Sequence, residues 1–197
     1  MTRAVVLAYH NVGVRSLSVL LAHGIEVALV LTHRDNPSEN IWFGSVAELA
    51  AWHEIPTITP DDPNTPEVMA RIAAARPDFI FSFYYRHMLK PELLALASRG
   101  AYNLHGSLLP KYRGRVPVNW AVLKGERETG ATLHEMVAKP DAGRIVAQER
   151  VPILPDDTAQ DVFEKVTVAA EIALDGALPG LIAGTAPHLA QDRKSVV

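Results

Sequence analysis

Three short runs of apolar residues constrain the fold more than any other feature of this sequence. They span Ala4 to Ala8, Val27 to Thr32 and Phe79 to Phe83. Nearly continuous apolar runs of this length are typical of parallel strands that are buried on both faces. Between the first two runs, apolar residues recur at helical spacing, at Val14, Leu17 and Leu21. The order strand, helix, strand predicts an α/β sheet that is mostly parallel.

Later segments complete the predicted architecture. Ser45 and Thr158 each precede a helical pattern and are predicted N-caps, with Glu48 and Asp161 three residues on. Residues 101–105 form a further predicted strand, and residues 129–136 and 145–153 alternate in polarity as antiparallel edge strands do. We therefore predict a Rossmann-like, doubly wound, mostly parallel α/β sheet, with one catalytic domain over residues 1–190 and a short tail at 191–197.

Composition excludes several function classes. The chain has 197 residues, a net charge of −3 and no cysteine, so disulfides, thiolate catalysis and cysteine-type zinc sites are excluded. Without clustered Lys and Arg, a nucleic-acid partner is disfavoured. Only Gly13 occupies the first strand-to-helix turn, and without G-x-G-x-x-G a nicotinamide dinucleotide is disfavoured. The N-terminal apolar run is too short for a signal or membrane segment, so we expect a cytoplasmic protein without membrane insertion.

A polar pair stands at the end of the predicted strand at residues 101–105. Asn103 and His105 are two residues apart, so both side chains point to the same side of a strand. An amide can stabilise an oxyanion and an imidazole can move a proton, which suits acyl-type transfer. From spacing alone the alternative, a solvated histidine at an exposed sheet end, stays open.

Other polar residues have both a chemical and an ordinary interpretation. Asp141 would favour a protonated His105 if it approached it, but Pro-Asp-x-Gly is also an ordinary turn sequence. Lys111, Arg113 and Arg115 could grip an anion or form a solvated loop face, and Arg86 and His87 are similar candidates. Ser107 lacks the G-x-S-x-G context of a nucleophile. The remaining histidines lack metal-binding spacing and are interpreted as surface or structural: His10, His23, His33, His53, His134 and His188.

Taken together, these motifs resemble the folate-dependent formyltransferases. The resemblance rests on Asn103-x-His105, on Ser107 to Gly114, and on Asp141-x-Gly143. Within that family, the match is closest to the enzymes that formylate UDP-4-amino-4-deoxy-L-arabinose, and it extends over nearly the whole chain. The resemblance implies the formyltransferase N-terminal catalytic domain as the fold.

The resemblance also implies roles for individual residues. Asn103 would stabilise the oxyanion, His105 would shuttle the proton, and Asp141 would raise the pKa of His105. The co-substrate would be 10-formyltetrahydrofolate, with no metal, and the partner an amino sugar nucleotide. A homo-oligomer is left open. The folate contacts would come from His87, Met88, Leu89, Arg115, Val137, Ala138, Lys139 and Pro140, with Asp141 at the end of the last run.

Three alternatives stay open at this point. A methionyl-tRNA formyltransferase is disfavoured because the loop at residues 35–40, which is basic in that enzyme, is neutral to acidic here.

The resemblance also implies a second lobe. Family members continue into a small C-terminal β-barrel that this sequence does not contain, and Arg193 to Val197 match nothing expected. We therefore expect an exposed apolar patch. A truncated module that binds folate or nucleotide without turnover, and a hydrolase that releases formate, are the remaining alternatives.

Overall fold

The computed structural model describes residues 1–192. The chain divides into two compact units, Met1–Tyr102 and Asn103–Val197. Each unit contains part of the predicted α/β pattern and is described separately below. The predicted tail residues after Asp192 lie outside the described residues.

The first unit is built on four parallel strands in the order β3-β2-β1-β4. The strands are β1 (Arg3–Ala8), β2 (Glu26–Leu31), β3 (Thr57–Ile58) and β4 (Phe79–Phe83). Its helices are α1 (His10–Ala22), α2 (Val46–Trp52), α3 (Pro66–Ala74) and α4 (Pro91–Leu94). The three apolar runs that predicted this sheet are its buried strands. The predicted cap of α2 is confirmed, because the Ser45 hydroxyl accepts a hydrogen bond from the Glu48 N–H at 3.2 Å.

The chain passes from the first unit to the second within β5 (Gly100–His105). The second unit continues with α5 (Pro117–Leu123), β6 (Glu128–Glu135), β7 (Ile145–Pro152) and α6 (Ala159–Ala183). Strands β6 and β7 are antiparallel, so the predicted antiparallel edge is confirmed. The mostly parallel α/β fold is confirmed as well.

Helix α6 packs against β6, β7 and α5 and supplies much of the core of the second unit. It begins with a capping box, in which the Thr158 hydroxyl accepts from the Asp161 N–H and the Asp161 carboxylate accepts from the Thr158 N–H. By length and composition the helix could cross a membrane, but 44% of its most apolar window is buried inside the protein. Burial of one side is typical of a helix that packs an apolar face against its own protein.

Exposed apolar side chains lie on the helices of the second unit. Trp120 and Leu123, three residues apart on one side of α5, are 46% and 73% exposed, and Val116, just before the helix, is 56% exposed. Val168 and Ile172 on α6 are 44% and 52% exposed. Exposed apolar side chains of this kind are what the expected patch requires, and the expectation that the patch marks where a β-barrel lobe would pack stays a prediction.

We expect Gly130→Ala to destabilise the protein by at least about 2 kcal/mol, because a Cβ in this packed strand forces its neighbours apart. A Cβ at Gly130 would lie 2.0 Å from the Glu149 carbonyl oxygen and 2.7 Å from a Leu108 methyl carbon. Gly176→Ala in α6 is the matched control, since nothing lies within 4 Å of the added carbon. The control should gain about 0.5–1 kcal/mol from helix propensity. Urea unfolding measures both; equal midpoints would contradict the prediction.

Candidate active site

Asn103 and His105 lie at the end of β5 and face a common set of polar groups. His105 is only 7% exposed. Its Nδ1 lies 3.6 Å from Asp141 Oδ1, and Asn103 Nδ2 lies 3.2 Å from His134 Nε2. The alternate residues Tyr102 and Leu104 are buried apolar residues. The period-two prediction of a shared polar side is therefore confirmed, and the alternative of a solvated His105 is wrong.

A backbone carbonyl fixes the tautomer of His105. Its Nε2 lies 2.8 Å from the Tyr112 carbonyl oxygen. Because a carbonyl only accepts, Nε2 carries the hydrogen. The other nitrogen, Nδ1, is then the basic atom, and it faces the Asp141 carboxylate. A proton gained at Nδ1 would be stabilised by that carboxylate, as a proton-transfer residue requires.

The pKa of His105 is set by opposing effects. Burial lowers it below the ordinary value of 6.5, and His134 acts in the same direction. Asp141 and the Tyr112 carbonyl act to raise it, but burial prevails. Asp141 thus has the effect predicted from the resemblance, while the net pKa of His105 remains low. His105 is consequently neutral at pH 7, and Asp141 opposes the lowering of its pKa by burial.

Asp141 lies in a short turn that aims both of its carboxylate oxygens. Its backbone is in the left-handed region, with φ 52°, which aspartate tolerates better than most residues. The Gly114 N–H donates to Oδ2 at 2.9 Å, while Oδ1 faces His105 and His134 at 3.6 Å each. Burial acts to raise the pKa of Asp141, but the His134 and His105 imidazoles, which attract the carboxylate when they carry a proton, and the Gly114 N–H outweigh it and hold that pKa below its usual value. Asp141 is therefore an anion at neutral pH.

His134 is a member of this cluster, whereas its sequence context predicted a surface or structural histidine. It is 1% exposed on β6. Its Nδ1 lies 2.7 Å from the Glu135 carbonyl oxygen and so donates to it, which leaves Nε2 to accept from the Asn103 amide. That bond uses one N–H of Asn103 and leaves the second for a ligand oxygen. A signal for His134 exists in the sequence, because Thr132 and His134 alternate with buried Leu133 along an apolar strand.

The loop that follows β5, residues 106–115, is held by hydrogen bonds to side chains of β6 and β7. The Thr132 hydroxyl donates to the Ser107 carbonyl at 2.6 Å and accepts from the Leu109 N–H at 3.1 Å. The Gln148 amide donates to the Leu109 carbonyl at 2.9 Å. Ser107 itself is fully buried, and its hydroxyl donates to the Lys111 carbonyl at 2.6 Å. Ser107 therefore has a structural bond, in line with its rejection as a nucleophile.

The basic residues of this loop differ in their surroundings. Lys111 pairs with Glu126 at 3.3 Å. Arg113 donates to the side chain of Gln191, from Nη2 at 2.6 Å and from Nε at 3.1 Å. Arg115 is exposed. Two of the three cations predicted to bind an anion, Lys111 and Arg113, are therefore bonded to other side chains of the protein. The predicted contact of Arg115 with folate stays a prediction.

The predicted folate contacts of the first unit lie directly after β4. The Asn64 side chain holds this segment, because its Nδ2 donates to the Met88 carbonyl at 2.9 Å and its Oδ1 accepts from the Lys90 N–H at 2.8 Å. Met88 is 61% exposed and His87 is also exposed. The segment is therefore rigidly held yet accessible, and its contact with folate stays a prediction.

Aromatic and imidazole rings cluster beside this segment within the first unit. His33 stacks on Tyr85, with ring centres 4.3 Å apart, and its Nε2 accepts from the Arg86 N–H at 3.0 Å. The Arg86 guanidinium lies over the Tyr9 ring at 4.7 Å and pairs with Glu39. Burial first, then the charges of His87 and Arg86, lower the pKa of His33 to about 4. Likewise burial, with Asp35, raises the pKa of Tyr9 to about 12. Both rings are neutral at pH 7.

The predicted folate contacts of the second unit form the exposed start of the Asp141 turn. They are Val137, Ala138, Lys139 and Pro140. Their exposure agrees with a ligand-facing role, which stays a prediction. Among residues 1–192, no group of three or more His, Asp or Glu side chains is placed to hold a metal ion. His188 contacts Glu135 at 3.0 Å, in keeping with its structural interpretation.

Comparison with known proteins decides the family. A model described as formyl transferase matches residues 15–178. This chain belongs to that family. The predicted enzyme class is therefore confirmed, and the cluster around His105 is the candidate active site of a formyltransferase.

Solved structures with the same fold include several formyltransferases. WlaRD, a sugar 3N-formyl transferase, is 25% identical, with a TM-score of 0.80 over 100% of this chain and 69% of its own. Phosphoribosylglycinamide formyltransferase from Bacillus halodurans is 25% identical, with a TM-score of 0.79 over 92% of this chain and 96% of its own. The N-formyltransferase from Helicobacter canadensis is 22% identical, with a TM-score of 0.76 over 100% of this chain and 71% of its own. The fold shared by all three is the predicted one.

We expect His134→Leu to lower the kcat of the formyltransferase about tenfold to a hundredfold, because the Asn103 amide loses the acceptor that orients it. The KM for the acceptor should change much less, since Asn103 acts on charge that develops during the reaction. The exposed His53 supplies a control, His53→Leu, on the end of α2. Steady-state kinetics with circular dichroism separate the outcomes; a folded His134 variant with full kcat would remove His134 from the site.

A pH titration tests the coupling between His105 and Asp141. In Asp141→Asn the carboxylate that raises the pKa of His105 is gone, while burial still lowers it. The midpoint of His105 should therefore move further below 6.5, and the acid limb of the kcat profile should move to lower pH with it. Histidine NMR measures the midpoint directly. An unchanged or raised midpoint would show that Asp141 does not act on His105.

Proposed function

We propose that this formyltransferase transfers a formyl group from 10-formyltetrahydrofolate to the amine of a cytoplasmic amino sugar nucleotide, in the manner of the ArnA formyltransferase domain. The observation that carries the reaction type is the cluster of Asn103, buried His105 and Asp141 in a chain of this family. The acceptor class is supported by the resemblance at those motifs and by the likeness to WlaRD. UDP-4-amino-4-deoxy-L-arabinose represents the class.

The chemistry needs an oxyanion donor and a proton carrier. When the uncharged amine attacks the formyl carbon, a C–N bond forms and negative charge develops on the formyl oxygen. The second N–H of Asn103, the one not bonded to His134, is available to that oxygen. The attacking nitrogen must lose a proton and the leaving folate nitrogen must gain one. Neutral His105 accepts the proton at Nδ1, where Asp141 stabilises it, and returns it as the old C–N bond breaks.

Folate as the donor is supported by the ligands of two matched proteins. The Helicobacter canadensis enzyme was solved in complex with folinic acid and dTDP-3-aminofucose. WlaRD was solved in the presence of dTDP and 5-N-formyl-THF. Both structures therefore combine a folate compound with a dTDP compound. On this chain, the predicted donor contacts are the accessible residues after β4 and before Asp141.

The loop that follows β2 supports a small acceptor over tRNA. Within the first unit, Asp35 accepts from the Tyr9 hydroxyl at 2.7 Å and Glu39 pairs with Arg86. These two carboxylates lie in the exposed segment at residues 35–40, which contains no Lys or Arg to attract a phosphate backbone. A methionyl-tRNA acceptor is therefore the weaker alternative.

Glycinamide ribonucleotide is the second candidate acceptor. Its support is the likeness to the phosphoribosylglycinamide formyltransferase from Bacillus halodurans, which this chain matches over nearly the whole length of both proteins. Like an amino sugar nucleotide, glycinamide ribonucleotide presents a primary amine on a phosphorylated sugar. The same Asn103, His105 and Asp141 chemistry would serve both, so only the acceptor distinguishes them.

An acceptor panel tests the proposal. Purified protein is incubated with 10-formyltetrahydrofolate and, separately, with UDP- and dTDP-amino sugars, glycinamide ribonucleotide, methionyl-tRNA or no acceptor. Formylation of an amino sugar nucleotide is the expected result. Turnover of glycinamide ribonucleotide alone would replace the proposed acceptor. Formate release without an acceptor indicates a hydrolase, an activity that the matched deformylase from Pseudomonas syringae makes a necessary control. Binding of folate or nucleotide without any formylated product would indicate a binding module without turnover.

We expect Asn103→Asp to reduce kcat about a hundredfold to a thousandfold, because a carboxylate replaces the donor to the oxyanion and repels it. Asn119→Asp, the same change on the exposed side of α5, is the matched control. Rapid-quench measurement of the formylated product gives the chemical step. Full activity in a correctly folded Asn103→Asp protein would falsify the assignment of the site.

A further inference from the structure

The chain returns to the Asp141 turn after α6 has ended. Leu189 and Ile145 form an antiparallel bridge in which each N–H donates to the other carbonyl at 2.8 Å. Two residues later, the side chain of Gln191 lies between the loop at residues 106–115 and the Asp141 turn. Nothing in the sequence predicts a contact here, since Gln191 falls within the predicted tail.

The Gln191 amide uses all of its hydrogen-bonding capacity. Its Oε1 accepts from Arg113 Nη2 at 2.6 Å and from Arg113 Nε at 3.1 Å. Its Nε2 donates to the carbonyl oxygens of Asp141 at 2.9 Å and Gly143 at 2.7 Å. A guanidinium only donates and a carbonyl only accepts, so one orientation of the amide satisfies all four contacts. Among side chains of this length, only glutamine has both an oxygen for the two guanidinium donors and an NH₂ group for the two carbonyl acceptors.

We propose that Gln191 is a positioning residue that holds the Asp141 turn against the His105 loop and thereby sets the distance between the two catalytic groups. The proposal rests on the proposed function, because the distance between His105 and Asp141 matters for catalysis only if these two residues carry out the proton transfer. Arg113 stands one residue after Tyr112, whose carbonyl fixes His105, and one before Gly114, whose N–H binds Asp141. Gln191 therefore ties together, through one amide, the two segments that supply the proton-transfer pair.

The Asp141 turn needs such a contact because its own bonding is weak. Within the turn, the Ala142 N–H reaches the Lys139 carbonyl at 3.4 Å, a long hydrogen bond. Asp141 also has a left-handed backbone, which costs energy unless the surroundings support it. The two bonds from Gln191 hold the backbone on both sides of Ala142. Loss of these bonds lets the carboxylate move away from His105.

Two substitutions separate this role from simple anchoring of the chain end. Gln191→Glu keeps an acceptor for Arg113, and adds charge attraction to it, but replaces the two donors with an oxygen that repels the Asp141 and Gly143 carbonyls. Gln191→Ala removes every contact. If Gln191 served only to hold Arg113, the Glu variant would equal or exceed the parent protein. If it positions Asp141, both variants fail.

We expect both variants to lose kcat about tenfold to a hundredfold, with a much smaller change in the KM of the acceptor. Gln160→Ala is the matched control, because Gln160 is an exposed glutamine on α6 whose amide donates to the exposed Glu164 carboxylate at 3.3 Å. Circular dichroism and urea midpoints report whether the variants fold.

A second measurement does not depend on turnover. The charged or titratable groups that face His105 are Asp141 and His134. If Asp141 moves away, the NMR titration midpoint of His105 falls in Gln191→Ala and Gln191→Glu and stays constant in Gln160→Ala. Unchanged kcat and midpoint in folded Gln191 variants overturn the proposal. An inactive parent protein whose His105 midpoint still responds to Gln191 instead overturns the proposed function and leaves the positioning role standing.

Discussion

The structure of the second unit depends on one constraint, which is that the His105 imidazole and the Asp141 carboxylate are largely removed from water. Burial weakens His105 as a base and disfavours the charge on Asp141. Neither group would be useful if burial acted alone. The Asp141 carboxylate and the Tyr112 carbonyl compensate by stabilising protonated His105, and the Gly114 N–H helps to hold Asp141 in its charged form. Burial also has a benefit, since the same contacts are stronger away from water.

Compensation of this kind requires an immobile loop. Tyr112, Val116 and Asp141 all have positive φ values, of 50–55°, which non-glycine residues adopt only under strong tertiary support. The support comes from buried Thr132 and from Gln148 on one side, and from Gln191 on the other. The loop and the Asp141 turn therefore keep an unfavourable backbone because side chains from three distant segments bond to their polar groups. Precise placement of His105 and Asp141 is the result.

The sequence sufficed for those parts of the structure that follow from periodicity. Buried apolar runs predicted the parallel strands, and the hydroxyls of Ser45 and Thr158 marked helix starts because their capping partners are local. Asn103 and His105 stood out by alternation on one strand. His134 was missed because its contact with Asn103 depends on how β6 is placed relative to β5, and Gln191 because nothing local marks a side chain that bonds across 50 residues to Asp141. The residues that the sequence did not reveal are those whose hydrogen-bond partners lie far away along the chain.

The bridge between Leu189 and Ile145 has a consequence for thermal behaviour. It involves only two backbone hydrogen bonds, whereas α6 is buried against two strands. An isolated pairing of two bonds opens at a small fraction of the free energy of global unfolding. If Gln191 positions Asp141, each such opening also releases the catalytic turn. Heat would then inactivate the enzyme reversibly, at temperatures where its spectroscopic signature is still that of the folded protein.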